Sequence, residues 1–136
     1  MADADCLFCK IVAGDVPATV VAEDERTVAF MDINPASRGH ALVVPRAHAR
    51  DLHDIGADDL QACILAAQGL AGRVREKLGA DGVNLLNSSG SAAWQTVFHF
   101  HLHVIPRYER DPLRLPWVPA PGDAEEIQAA AAQLTG

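Results

Sequence analysis

The chain has 136 residues, 49% of them hydrophobic and 21% charged, which predicts one domain large enough to bury a core without disulfide staples. Its net charge of −7 argues against broad binding to nucleic acid or anionic membrane, which needs basic patches, but leaves room for a local pocket holding a single nucleotide. No apolar run reaches the length of a membrane span, and the N-terminus lacks a basic stretch followed by an apolar one, so a cytoplasmic location is expected.

Residues 5–13 carry Leu7, Phe8, Ile11 and Val12 at a spacing that suits a short helix, broken by Val16-Pro17-Ala18. Residues 19–23 and 27–32 read as strands joined by a polar turn, and residues 34–39 form a loop by composition. Residues 40–45 (HALVVP) are a third strand. From residue 58 to 78 the period becomes helical, with Leu60, Cys63, Ile64, Ala67, Leu70, Ala71, Val74 and Leu78 on one face. Asp58 and Asp59 at its start and Arg73, Arg75 and Lys77 at its end suit the helix dipole, and Gly79 stops it. Residues 82–87 are a fourth strand, 88–94 a small-residue loop, and 96–105 the fifth and longest strand. Pro112, Pro116, Pro119 and Pro121 predict irregular backbone over 111–122. Residues 123–134 then form a helix, with Asp123 as N-cap and Glu126 at capping-box spacing. The sum is an α+β domain: a five-stranded antiparallel sheet, one main helix and a short helix at each end. No repeat or internal boundary interrupts residues 1–136; the core is expected over about 6–107, followed by a Pro-rich tail and C-terminal helix.

Half of the six histidines fall in one run, His99-Phe100-His101-Leu102-His103-Val104-Ile105. Strict alternation has the period of a strand. The three imidazoles are therefore expected on one face, exposed opposite the buried row Phe98, Phe100, Leu102 and Val104. Imidazole titrates nearest neutrality and serves as base, nucleophile or metal ligand. Catalysis and zinc binding explain such a row about equally, and an inert solvated face explains it poorly.

The preceding segment, Asn87, Ser88, Ser89, Gly90, Ser91, Gln95 and Thr96, is polar and small, and offers N–H groups and hydroxyls to phosphate oxygens, though connectors share that composition. Cys6-x-x-Cys9 reads as half a zinc site with His48 and His99 available, as a redox pair lacking its usual preceding strand, or as incidental cysteines. Asp32 suits a ribose diol or a turn cap. Leu7, Phe8, Ile11, Phe30 and Ile33 read more readily as core than as a base slot, His40 as a hydrogen-bonded structural histidine, and Cys63 as helix packing. Trp117, among prolines, reads as a substrate-side flap or a surface anchor.

Taken together these residues resemble the histidine triad (HIT) family of nucleotide hydrolases and transferases. The pattern His-φ-His-φ-His-φ-φ, with φ apolar, is met from His99 to Ile105. Leu7-Phe8-Cys9-Lys10-Ile11, Ala29-Phe30-Met31-Asp32-Ile33, the run from Gly39 to His48, Asn87 and Gln95-Thr96-Val97 are similar to the family in the same order, so the resemblance spans Cys6 to Arg107. The nearest branch is the nucleoside-phosphoramidate hydrolase (HINT-like) group, whose bacterial members include zinc-containing ones.

The resemblance implies a HIT-like fold and residue roles. His101 would attack the α-phosphorus and carry a covalent nucleotidyl group, His103 would contact the phosphate, and His40 would support both. Asn87, Gln95, Thr96 and Val97 would line the far side of the phosphate and Asp32 would hold the ribose. Leu7, Phe8, Ile11, Phe30, Ile33 and Leu42 would surround the base. Cys6, Cys9, His48 and His99 would hold a structural zinc ion. The implied substrate is a small nucleotide, a purine nucleoside 5′-phosphoramidate or similar nucleotidyl compound yielding a nucleoside monophosphate. A dinucleoside polyphosphate substrate and a zinc-stabilised binding module with little turnover are the alternatives. A homodimer is implied as in relatives, with residues 58–78 pairing with their copy. The family commonly has glycine before the glutamine, where this chain has Ala92-Ala93-Trp94. A tryptophan there either narrows the leaving-group side or packs outward.

Overall fold

The computed structural model describes residues 2–136. Helix α1 spans Leu7–Ala13, strands β1 to β3 span Val20–Glu23, Thr27–Met31 and Ala41–Pro45, and helix α2 spans Ala57–Leu78. Strand β4 (Gly82–Leu86) and strand β5 (Leu102–Arg107) follow, and helix α3 (Ala124–Thr135) ends the chain. The strands form one sheet in the order β1-β2-β3-β5-β4, antiparallel throughout. The expected α+β architecture is therefore present.

The two faces of the sheet have different jobs. Ala29, Ala41, Val43, Leu102 and Val104 face α2 and pack with Cys63, Ala67 and Leu70 in the larger core. Val28, Phe30, Leu42 and Val44 face α1 and pack with Cys6, Phe8 and Cys9 in the smaller one. Strand β3 is buried along its whole length because both faces are covered, which explains its uninterrupted apolar run. Phe30 pairs with Leu42 and Leu42 with His103, so one line across β2, β3 and β5 points to the α1 side. The functional residues collect on that side.

Several expectations need correction. The fifth strand begins at Leu102 rather than at 96, and it runs on to Arg107. Pairing stops because β3 ends in Pro45, which falls opposite Phe100 by continuation of the Val43–Leu102 register and has no N–H to donate. The Phe100 N–H turns instead to the Ala49 carbonyl at 2.7 Å. The histidine row is not an exposed face. His99 and His101 are buried, because α1 packs over them through Phe8, whose ring meets both imidazoles edge-on.

On α2 the buried stripe narrows to Cys63, Ala67, Leu70 and Val74, while Ile64 is 45% exposed on its shoulder. Gly79 ends α2 in the left-handed conformation, as its position predicts. Asp123 is the N-cap of α3 but makes no side-chain cap bond, so the capping box is not formed. Helix α3 buries none of its residues. Among the described residues no helix is long and apolar enough to cross a membrane.

Candidate active site

Gly39 sets the entry to β3. Its φ of +91° is costly for any residue with a Cβ, and a Cβ here would lie 2.5 Å from Leu78 Cδ1. The turn delivers His40, buried at 5% exposure, to the α1 side of the sheet beside β5. The Ala36 N–H donates to His40 Nδ1 at 2.9 Å. That nitrogen must then be unprotonated, which puts the neutral-state proton on Nε2. His40 Nε2 lies 2.9 Å from His103 Nδ1 and 3.5 Å from Asp32 Oδ2. It donates to His103, whose own proton is thereby confined to Nε2, where it can be offered to a ligand.

Asp32, His40 and His103 lie close enough together to suggest a metal site. The tautomer argues otherwise: a metal on His40 Nε2 would push the proton to Nδ1, against the Ala36 N–H. This trio is a hydrogen-bond relay.

His101 is oriented in the same way from its other side. Its Nδ1–H donates to the His99 carbonyl at 2.7 Å, leaving Nε2 with a free lone pair. Asn87 Nδ2 donates to the His101 carbonyl at 3.0 Å and fixes the backbone. Burial is the main influence on each of these imidazoles: it lowers the pKa of His40 and His101 and pushes His103 down to about 4, where the neighbouring His101 and His40 rings add to it. At neutral pH the cluster is uncharged. A neutral imidazole with a free Nε2 is a competent nucleophile.

His101 and His103 open onto a cleft of about 360 Å³. Leu7, Phe8, Ile11, Phe30, Ile33 and Leu42 line it, together with Asp32, Thr96 and Val97. Ile33 stands at the rim, 90% exposed. Asp32 also accepts the Asn34 N–H at 2.8 Å, so it caps the turn as well. Asn87 and Gln95 bond to main chain behind the cleft. Gln95 accepts the Gly90 N–H and donates to the Arg50 and Val97 carbonyls. Val16, Pro17, Ala18, Met31 and Asn34 complete the cleft wall. None of these five carries a chemical signature in the sequence: Val16-Pro17-Ala18 reads as a helix break, and only its proline marks a rigid wall.

The four residues expected to hold metal do converge. Cys6 Sγ lies 3.3 Å and Cys9 Sγ 3.5 Å from His99 Nδ1, and Cys9 Sγ lies 3.4 Å from His48 Nδ1. A tetrahedral ion bound at the usual zinc–nitrogen and zinc–sulfur lengths has edges of about 3.3–3.8 Å. The surroundings fit as well. His99 Nε2–H donates to the Pro45 carbonyl at 2.8 Å, which leaves Nδ1 as the free ligand atom. N–H groups of Cys9 and Asp3 point at the sulfurs of Cys6 and Cys9, and so stabilise thiolates. Burial raises the Cys6 thiol and lowers His99 to about 4, so His99 presents a neutral imidazole to a cation. With four protein ligands such a site has no open position and is structural.

A sequence profile described as HIT domain matches residues 13–110. A HIT-like protein of Methanocaldococcus jannaschii is 47% identical over 106 residues, 78% of this chain and 81% of that protein. The adenosine 5′-monophosphoramidase of Schizosaccharomyces pombe is 40% identical over 131 residues, 96% of each chain. Among solved structures, the zinc-bound histidine triad family protein of Mycobacterium smegmatis superposes with a TM-score of 0.79 at 43% identity, covering 96% of each chain.

Proposed function

The chain belongs to the HIT-domain family, and from that premise we propose that it is a hydrolase of purine nucleoside 5′-phosphoramidates or similar nucleotidyl compounds. The observation that carries this reading is the fixed tautomer of His101, whose Nε2 faces a nucleotide-sized cleft while Nδ1–H is held by the His99 carbonyl. In the first step Nε2 attacks the α-phosphorus, the P–N bond breaks, and the amine leaves with a proton from solvent. Water then displaces His101 and frees the nucleoside monophosphate. Two displacements through a covalent intermediate each meet a lower barrier than one.

The remaining residues position and stabilise. His103 Nε2–H donates to a non-bridging phosphate oxygen, with His40 holding its tautomer. Charge stabilisation and positioning are most of what a phosphoryl-type transition state asks of a protein. The His99 carbonyl strengthens its bond to Nδ1–H as His101 gains positive charge. Asp32 takes the ribose hydroxyls, and Leu7, Phe8, Ile11, Phe30, Ile33 and Leu42 take the base. Thr96 and Val97 border the phosphate, and Asn87 and Gln95 hold the backbone that presents it. Cys6, Cys9, His48 and His99 hold zinc, which ties the start of α1 to the segment that presents His101.

Three further features belong to this reading. The chain acts as one domain, with its chemistry in residues 6–107. The free cysteines Cys6, Cys9 and Cys63 suit the reducing cytoplasm. A homodimer is supported by exposed Ile64 and Leu65 on α2 and by exposed Leu85 and Leu86 on the edge strand β4. The test is turnover of adenosine 5′-phosphoramidate and of diadenosine tetraphosphate by wild type and His101→Ala. Hydrolysis of the phosphoramidate by wild type alone is expected; turnover of only the tetraphosphate, or a mutant as active as wild type, contradicts the proposal.

A further inference from the structure

We propose that Trp94 is a specificity-determining residue at the phosphate end of the cleft, where its indole stacks on a planar leaving group. This rests on the phosphoramidate-hydrolase reading. Trp94 is 65% exposed and belongs to neither core cluster. Its φ is +76°, and it is the sole non-glycine with positive φ among the described residues. Side chains with a Cβ are strained there, bulky ones especially, whereas glycine is at ease.

The indole does not hold the loop together. The Trp94 N–H bonds the Ser91 carbonyl at 3.0 Å, and the Gln95 N–H bonds the Gly90 carbonyl at 3.1 Å. The buried Gln95 amide closes the rest by accepting from Gly90 at 2.7 Å and donating to Arg50 at 2.8 Å. A large apolar side chain that neither packs nor relaxes its backbone is unexplained by folding. Strain of this kind gathers at ligand sites.

Its position says which ligand. Trp94 is two residues from Thr96, so their Cα atoms are no more than about 7 Å apart, and Thr96 and Val97 line the cleft with His101 and His103. The nucleoside fills the slot of Leu7, Ile11 and Phe30. Displacement at phosphorus sends the leaving group away from His101 Nε2, and we place its exit on the Thr96 and Val97 side of the cleft, beside which the backbone carries Trp94. A flat, exposed indole gains most from an aromatic amine and little from a small alkyl one. Trp94 exchanges no proton or electron in this role.

The experiment compares the tryptamine and methylamine phosphoramidates of adenosine 5′-monophosphate, read as the ratio of their kcat/KM values. Wild type is expected to favour the tryptamine compound. In Trp94→Ala that ratio falls about three- to tenfold, the range expected of one aromatic stack, through KM for the tryptamine compound. Trp94→Phe restores most of the ratio, and Trp94→Gly melts no lower than wild type. An unchanged ratio in Trp94→Ala overturns the proposal and leaves the hydrolase reading standing. A changed oligomeric state with an unchanged ratio overturns it too, and assigns the indole to a second copy. Wild type that cleaves neither compound overturns both.

Discussion

At the residue scale, chemistry here is decided by which nitrogen of each imidazole carries the proton. Main-chain groups make that choice: the Ala36 N–H for His40, the His99 carbonyl for His101 and the Pro45 carbonyl for His99. His101→Ala should lose at least about a hundredfold in kcat, since nothing else in the relay presents a free Nε2 to the cleft. His40→Ala should lower kcat by about tenfold with less effect on KM, because it frees the tautomer of His103 without touching substrate. The active forms are neutral and burial depresses their pKa values. Acid therefore inactivates by protonation, and the acid limb of the kcat/KM profile should lie below the ordinary imidazole value of about 6.5. An acid limb above that value contradicts the buried neutral cluster. The alternating triplet made these histidines legible from sequence. Their separate hydrogen-bond partners were not, because backbone carbonyls and the Ala36 N–H carry no sequence signature.

At the element scale α1 does more than a helix of its length usually does. Cys6 caps it, Cys9 sits in its first turn, Phe8 meets His99 and His101 edge-on, and Leu7 and Ile11 line the cleft. On the proposal that Cys6, Cys9, His48 and His99 hold zinc, Cys9→Ser should lose stoichiometric zinc, and that variant or chelated wild type should melt lower and bind nucleotide more weakly. Metal-free wild type with full stability and affinity would count against the knot. Gly39→Ala should cost about 1–3 kcal/mol, since it strains the backbone and drives a Cβ into Leu78; urea titration reads it. The apolar run of β3 was legible because both its faces are covered, and the period of α2 because it buries a single stripe. The start of β5 was not, since it depends on a proline in another strand falling opposite Phe100. The capping-box spacing at Asp123 was visible but leads to no side-chain bond, because α3 buries nothing that would fix its first turn.

At the scale of the whole molecule, the sheet divides a packing face from a chemical face, with α2 on one side and α1 on the other. Beyond β5 the chain is held by Arg107, which grips Asp111 through two hydrogen bonds of 2.9 and 2.8 Å. Deleting residues 122–136 should leave the melting temperature within a few degrees of wild type, since α3 adds no buried residue; sedimentation of the same variant reports whether α3 serves a dimer. Stability also follows pH through the buried imidazoles. His103 has a folded pKa of about 4 against about 6.5 unfolded, so the unfolded chain binds more protons between those values. Stability is full above that window, falls as pH drops through it, and is not lost further by this group below it.

The central claim is that one imidazole of the three makes the bond. Wild-type protein mixed with adenosine 5′-phosphoramidate, acid-free quenched within a turnover and mapped by peptide mass spectrometry, should carry a nucleotidyl group on His101. The adduct should be missing from His101→Ala. A nucleotidyl group mapped to His99 or His103 would contradict the account.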